Sequence, residues 1–176
     1  MEVVIIVLLL MILLSIWIMS TQRKLVAMDE NISNAMSQIG VQLASRFDVL
    51  NVLLNLMRGY AGCEALALMS TLKTRRNDIT AISTPEDVLG QEQVISETLG
   101  HIAIVAERYP ELRADKNYVR CIDAAESYEK MVRTSCLIYN DSVTKLNGVI
   151  GIIPNSLIAG LLGFHQRPYL KIEEGR

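Results

Sequence analysis

Few side chains in this sequence could do chemistry. Acids on helices suggest a dinuclear carboxylate centre, which needs a Glu-x-x-His pair from each of two helices and a further Glu from two others. Glu126 and Glu129 are three apart and Glu97 and His101 four apart, so neither supplies that pair. Cys121 and Cys136, fifteen positions apart, face different heights of one helix and cannot share a tetrahedral zinc without remote help. With Cys63 they read as small buried hydrophobes. No Gly-x-Ser-x-Gly, no His-Glu-x-x-His and no Gly-rich loop ending in Gly-Lys-Ser/Thr occurs. A small hydrolase or metal enzyme would have to use Glu64, Glu92 or His101, whereas a helical interaction domain needs no catalytic residue, metal or cofactor. The cluster Lys73, Arg75 and Arg76 reads as a solvated turn rather than an anion site.

Three charges are informative in another way. Arg46, Glu92 and Glu129 each interrupt an otherwise apolar helical face, and a charge there is costly unless it is paired or reaches water. Arg46 is a candidate structural charge. If the first helix runs on to about Lys73 before turning, Arg46 falls opposite the end of the second helix, with Glu107 or Glu111 as its partner.

The elements that must hold these residues follow from spacing. Apolar positions recur at steps of three and four from Arg23 to about Gly148, the pattern of coiled or bundled helices. The first stripe is Ile32, Met36, Ile39, Leu43, Arg46, Leu50, Leu53, Met57. It then slips to Ala61, Ala65, Leu68, Leu72, an extra step of four of the kind that unwinds a coil locally. The helix is expected to continue across Gly59 and Gly62, bent or weakened there. The segment Lys73 to Ser83 reads as a turn, and Thr84-Pro85-Glu86-Asp87 as a helix start with Thr84 as N-cap and Pro85 at N1. The second stripe is Val88, Glu92, Ile95, Leu99, Ile102, Ala106, Tyr109, closed by Pro110. The third is Tyr118, Ile122, Ala125, Glu129, Val132, Cys136, Tyr139, Val143, Leu146.

Composition shows where the remaining apolar residues lie. The chain has 176 residues, 51% apolar but only 5% aromatic, with 17 Lys+Arg against 19 Asp+Glu. That size suits one modest domain, and the near-neutral charge argues against nucleic acid as a partner. From Val3 to Met19 an apolar run is broken only by Ser15, and no charge lies between Glu2 and Arg23. It matches the hydrocarbon core of a bilayer, and its flanks lack the basic start and small-x-small end of a cleaved signal, so it reads as a single uncleaved anchor. Arg23 and Lys24 then keep the rest of the chain on the cytoplasmic side. Three cysteines without paired spacing suit reduced thiols there. A first helix from the membrane to about Lys73 would be about 75 Å long, giving a stalk.

Val149 to Phe164 carries no charge but is punctuated by Gly151, Pro154, Gly160 and Gly163, too broken for a second span. It suits either a hydrophobic clasp on the bundle or a contact with bilayer or partner. Leu157, Ile158, Leu161, Leu162, Phe164 and Tyr169 form the candidate interaction surface. Lys171 to Arg176 reads as a frayed polar tail.

Several blocks of residues resemble the LemA family. They are Asn34-Ala35, Gln38-Ile39, Val41-Gln42-Leu43, Arg46 to Leu50 and Gly59-Tyr60-Ala61 with Glu64, then Tyr109-Pro110-Glu111-Leu112 and Tyr139-Asn140-Asp141. The most specific block runs from Pro154 to Phe164 and on to Arg167-Pro168-Tyr169. Met36 departs from the family pattern, where Trp is usual. The resemblance implies a bacterial protein with one N-terminal membrane helix and an α-helical bundle, in a family without an established catalytic activity.

The expected fold is all-α: a transmembrane helix over 1–22, a long antiparallel up-and-down bundle of three to four helices over 23–148, and an apolar C-terminal segment with a polar tail over 149–176. The expected function is a membrane-anchored interaction or scaffolding protein without catalysis. Its partners would be the membrane, through one span, and an unidentified protein or a second copy in a homo-oligomer. The alternative is a membrane remodelling or envelope-stress factor whose C-terminal segment contacts lipid.

Overall fold

The computed structural model describes residues 1–171, so the polar tail expected from Lys171 onward lies outside the described residues from 172 on. Among the described residues there are six helices and no strand: α1 (Glu2–Met57), α2 (Gly62–Arg75), α3 (Pro85–Arg108), α4 (Pro110–Ala114), α5 (Lys116–Ile150) and α6 (Asn155–Leu161).

Helix α1 is continuous for 56 residues, about 84 Å, with no break near Asp29. Its first part is apolar and exposed all round, long and apolar enough to cross a membrane. From Ile32 onward every member of its stripe, Arg46 included, is buried. The expectation that this helix runs on to Lys73 is corrected: it ends at Met57, and the chain reverses through Arg58–Ala61. Ala61 caps α2 without a side-chain hydrogen bond, so no Ser, Thr, Asp or Asn marks the start of the new helix. Helix α2 runs back beside α1, bringing Arg76 to Asp48 at 2.9 Å and the carbonyl of Ile79 against Gly40.

The start of α3 matches its sequence signal. Thr84 accepts from the Asp87 amide while the Asp87 carboxylate accepts from the Thr84 amide at 2.8 Å, a full capping box, with Pro85 following. Helix α3 leads away from the apolar end of α1, α4 makes a short corner after Pro110, and α5 returns along the buried part of α1, from Met57 back to about Leu25, as its closest neighbour. Asp115 caps α5 by accepting from the Asn117 amide at 2.7 Å. The core is the stripe of α1 with Ala65 and Leu72 of α2, Val88, Ile95, Ile102 and Ala106 of α3, and Val132, Cys136, Tyr139, Val143 and Leu146 of α5.

Candidate functional site

The C-terminal segment is built on the end of the bundle nearest the apolar part of α1. Helix α6 packs on both α1 and α5, and it ends in a complete Schellman motif. The Phe164 amide donates to the Ala159 carbonyl at 2.9 Å and the Gly163 amide to the Gly160 carbonyl, with Gly163 at φ +78°. A left-handed residue is required at that point, and glycine adopts it without a Cβ penalty. Beyond it the chain lies extended along α5. Asn147 and Asn140 each pair with backbone as both donor and acceptor, Asn147 with Arg167 and Asn140 with Leu170 at 2.8–2.9 Å. The Tyr139 hydroxyl donates to the Pro168 carbonyl at 3.1 Å. These clamps run from Asn147 back to Asn140, so α6, which precedes them, lies at or beyond the Ile150 end of α5.

The predicted surface residues divide between two faces. Ile158 is buried and Phe164 is half-buried against the core, so these two are the clasp. Leu157, Leu161, Leu162 and Tyr169 are exposed, Leu161 to 87%. Two residues outside the predicted set, Ile152 and Ile153, are also exposed, Ile153 to 79%. Their charge-free neighbourhood was the signal available for them. Leu170, likewise not predicted, is buried in the core.

The neighbouring face of α1 shows what the segment covers. Exposure falls along one side of the helix from Leu14 (50%) through Trp17 and Ile18 (37% each) to Thr21 (8%) and Leu25 (0%). Helix α5 stops at Ile150. Its register on α1, set by Arg46–Glu129 and by Tyr60–Asp115, brings Ile150 level with Leu25. Thr21 lies beyond that end, so its cover is the segment from Gly151 onward.

The charged stripe residues meet in the middle of the bundle. Arg46, 3% exposed, donates from Nη1 to Glu92 Oε2 at 2.6 Å and from Nη2 to Glu129 Oε2 at 2.8 Å, and Arg133 donates to the other Glu129 oxygen at 3.0 Å. Glu107 and Glu111 are therefore not its partners. The reversal at Arg58–Ala61 sets the start of α3, rather than its end, opposite Arg46. Helices α3 and α5 flank α1 with little approach of their own backbones, leaving a cavity of about 720 Å³ lined by Arg46, Glu92, Glu129, Cys136 and Leu170 among others. Arg46 Nε and Glu92 Oε1 are buried there without a protein partner. Burial, and then the nearby Glu92 charge, pushes the Cys136 thiol up to about 12, which leaves it a neutral hydrophobe. The arrangement ties three helices in register.

The other candidate chemical groups stay apart. Glu64 on α2 and His101 on α3 are exposed, and Glu92 is held by Arg46. No three His, Cys, Asp or Glu side chains converge on a metal-sized site among the described residues. Arg75 pairs with Glu97, and Arg76 lies 5.4 Å from the Phe47 ring centroid as well as on Asp48. The basic turn is thus tied to the bundle.

Comparison with known proteins adds one positive finding. A family model described as the LemA family matches residues 35–176. No curated protein matches the chain.

Proposed function

Because the chain belongs to the LemA family, we propose that it is a membrane-anchored helical-bundle scaffold that acts by contact rather than catalysis. The observation that carries this reading is the continuity of α1. The apolar segment and the longest bundle helix are one element, Glu2–Met57, without a Gly- or Pro-rich linker between them. An anchor joined in this way holds the bundle at a set angle and carries it about 50 Å from Gln22 to Met57. A flexible tether would give neither. Arg23 and Lys24, just past the apolar segment, support a cytoplasmic bundle by the positive-inside rule.

The anchor is tested by alkaline carbonate extraction of membranes from expressing cells. The full chain stays in the pellet, and the chain without residues 1–22 is released; release of the full chain would contradict the reading. Exposed Cys63 reports the side. In a Cys121→Ser variant a membrane-impermeant maleimide labels Cys63 only after lysis, and labelling of intact cells would place the bundle outside.

One observation favours the second reading, contact of the C-terminal segment with lipid. The exposed apolar residues of that segment sit beside the covered face of α1 at Trp17–Thr21, within the proposed span and its end.

A further inference from the structure

We infer that the C-terminal segment Gly151–Phe164 is seated in the interfacial layer of the bilayer that α1 crosses, so that the chain meets the membrane at two adjoining places. This rests on the reading of α1 as the anchor and names the occupant of the apolar surface as lipid.

Three independent observations converge on it. The first is depth. The face of α1 made by Leu14, Trp17, Ile18, Thr21 and Leu25 becomes steadily less exposed, and only the segment after Ile150 is placed to cover Thr21. The segment therefore descends beside the last turns of the span. The second is the face it presents. Ile158 and Ala159 turn inward, whereas Ile152, Ile153, Leu157, Leu161 and Leu162 all turn outward and are exposed. Five large apolar side chains on so short a piece form a contiguous patch of the kind that marks a membrane or protein contact. The third is charge. No ionisable side chain occurs from Leu146 to Phe164; Lys145 precedes it, the Asp29–Arg167 pair closes its far side, and Arg23 and Lys24 follow Thr21 on α1. An apolar patch flanked by charges in this way fits the boundary between acyl chains and headgroups. A protein partner would have to reach the patch through that same layer, at the foot of the span. The clamps of Asn140, Asn147 and Asp29 on the following chain hold the segment at this depth.

The single tryptophan makes the test self-controlled. The full-length chain is reconstituted in phosphatidylcholine vesicles with and without lipids brominated near the top of the acyl chains. In the wild type Trp17 reports the span. In Trp17→Phe/Leu161→Trp the new indole reports the segment, and in Trp17→Phe/Leu137→Trp it reports the exposed middle of α5. Leu161 and Leu137 are both largely exposed, so neither replacement disturbs the core, and helical circular dichroism checks this. The expected result is quenching at position 161 comparable to that of Trp17, with blue-shifted emission, and none at position 137. Quenching of Trp17 with none at position 161 overturns the inference and leaves the anchor standing. Blue-shifted but unquenched emission at 161 would mean that a protein, a partner or a second copy, covers the patch, and also overturns it. Loss of quenching at both positions overturns the anchor and the inference together.

Discussion

Arg167 donates from Nε and from Nη2 to a single oxygen of Asp29, at 3.0 and 2.8 Å. The pair joins residues 138 positions apart and closes the C-terminal segment onto α1. The same Arg167 backbone is gripped on both sides by Asn147. The latch therefore sits where α1, α5 and the extended tail meet, immediately beyond the apolar cap.

Both members of this pair are partly exposed, so it is worth about 0.2–1 kcal/mol to global stability. Asp29→Asn is expected to shift the thermal midpoint little. Its effect should be local: the amides of Leu162 and Phe164, which close α6 on Ile158 and Ala159, exchange hydrogen faster, while amides in the middle of α5 do not. Unchanged exchange at the cap would show that the clamps of Asn140 and Asn147 hold it alone.

The Arg46 cluster gives an asymmetric expectation. Arg46→Met strands two carboxylates on side chains that are each exposed to about a third and can turn to water, and should cost about 1–3 kcal/mol. Glu92→Ala with Glu129→Ala strands a guanidinium that is almost wholly buried, and should cost about 3–5 kcal/mol. Urea unfolding of the two variants checks the order. An equal or reversed order would mean that Arg46 escapes to solvent when its partners are removed.

Gly40 is where the loop after α2 crosses α1. A Cβ at Gly40 would lie 2.0 Å from the backbone carbonyl oxygen of Ile79, so Gly40→Ala must displace the loop. The gain in helix propensity, about 1 kcal/mol, works against this, but a backbone overlap of that size is not relieved by a rotamer change. The variant should unfold at lower temperature by an amount equivalent to about 1–3 kcal/mol, with faster exchange at Asn77. A stabilised variant would mean the loop does not cross there.

Cys136 should behave as a buried apolar group in thiol chemistry and in pH dependence. In the folded protein an aromatic disulfide reagent reacts readily with exposed Cys63 and very slowly with Cys136. Because the folded thiol is raised from 9.0 to about 12, the unfolded chain loses its proton first as pH rises. The contribution of Cys136 is present in full below pH 9 and is lost progressively above it. The stability difference between wild type and Cys136→Ala should therefore narrow between pH 9 and pH 11, and a constant difference would contradict the shift.

Local pattern carried most of the helices into view and little of their assembly. The stripe Ile32 to Met57 is buried residue for residue, and Thr84 with Pro85 marks the start of α3, because period and capping are properties of a few adjacent residues. The reversal after Met57 was not legible. Gly59 and Gly62 bracket it, but Ala61 supplies no capping oxygen, and an apolar stripe that resumes four residues later looks like a continuing helix. That one misreading moved the partner of Arg46 from Glu92 to the far end of α3. The position of the C-terminal segment was hidden for another reason. It depends on contacts such as Asp29–Arg167 that no local spacing encodes, although the blocks Tyr139-Asn140 and Arg167-Pro168-Tyr169, which stood out by family resemblance, turn out to touch each other.

The rigid continuity of α1 from bilayer to bundle is tested most directly by a distance. Spin labels at Met19 and Val52, both exposed, are placed in a full-length variant whose native cysteines are replaced by serine, and the chain is embedded in lipid nanodiscs. A continuous helix gives a narrow distribution centred at about 50 Å. A broad distribution, or one centred well below that length, would mean a hinge between membrane and bundle and would contradict the scaffold.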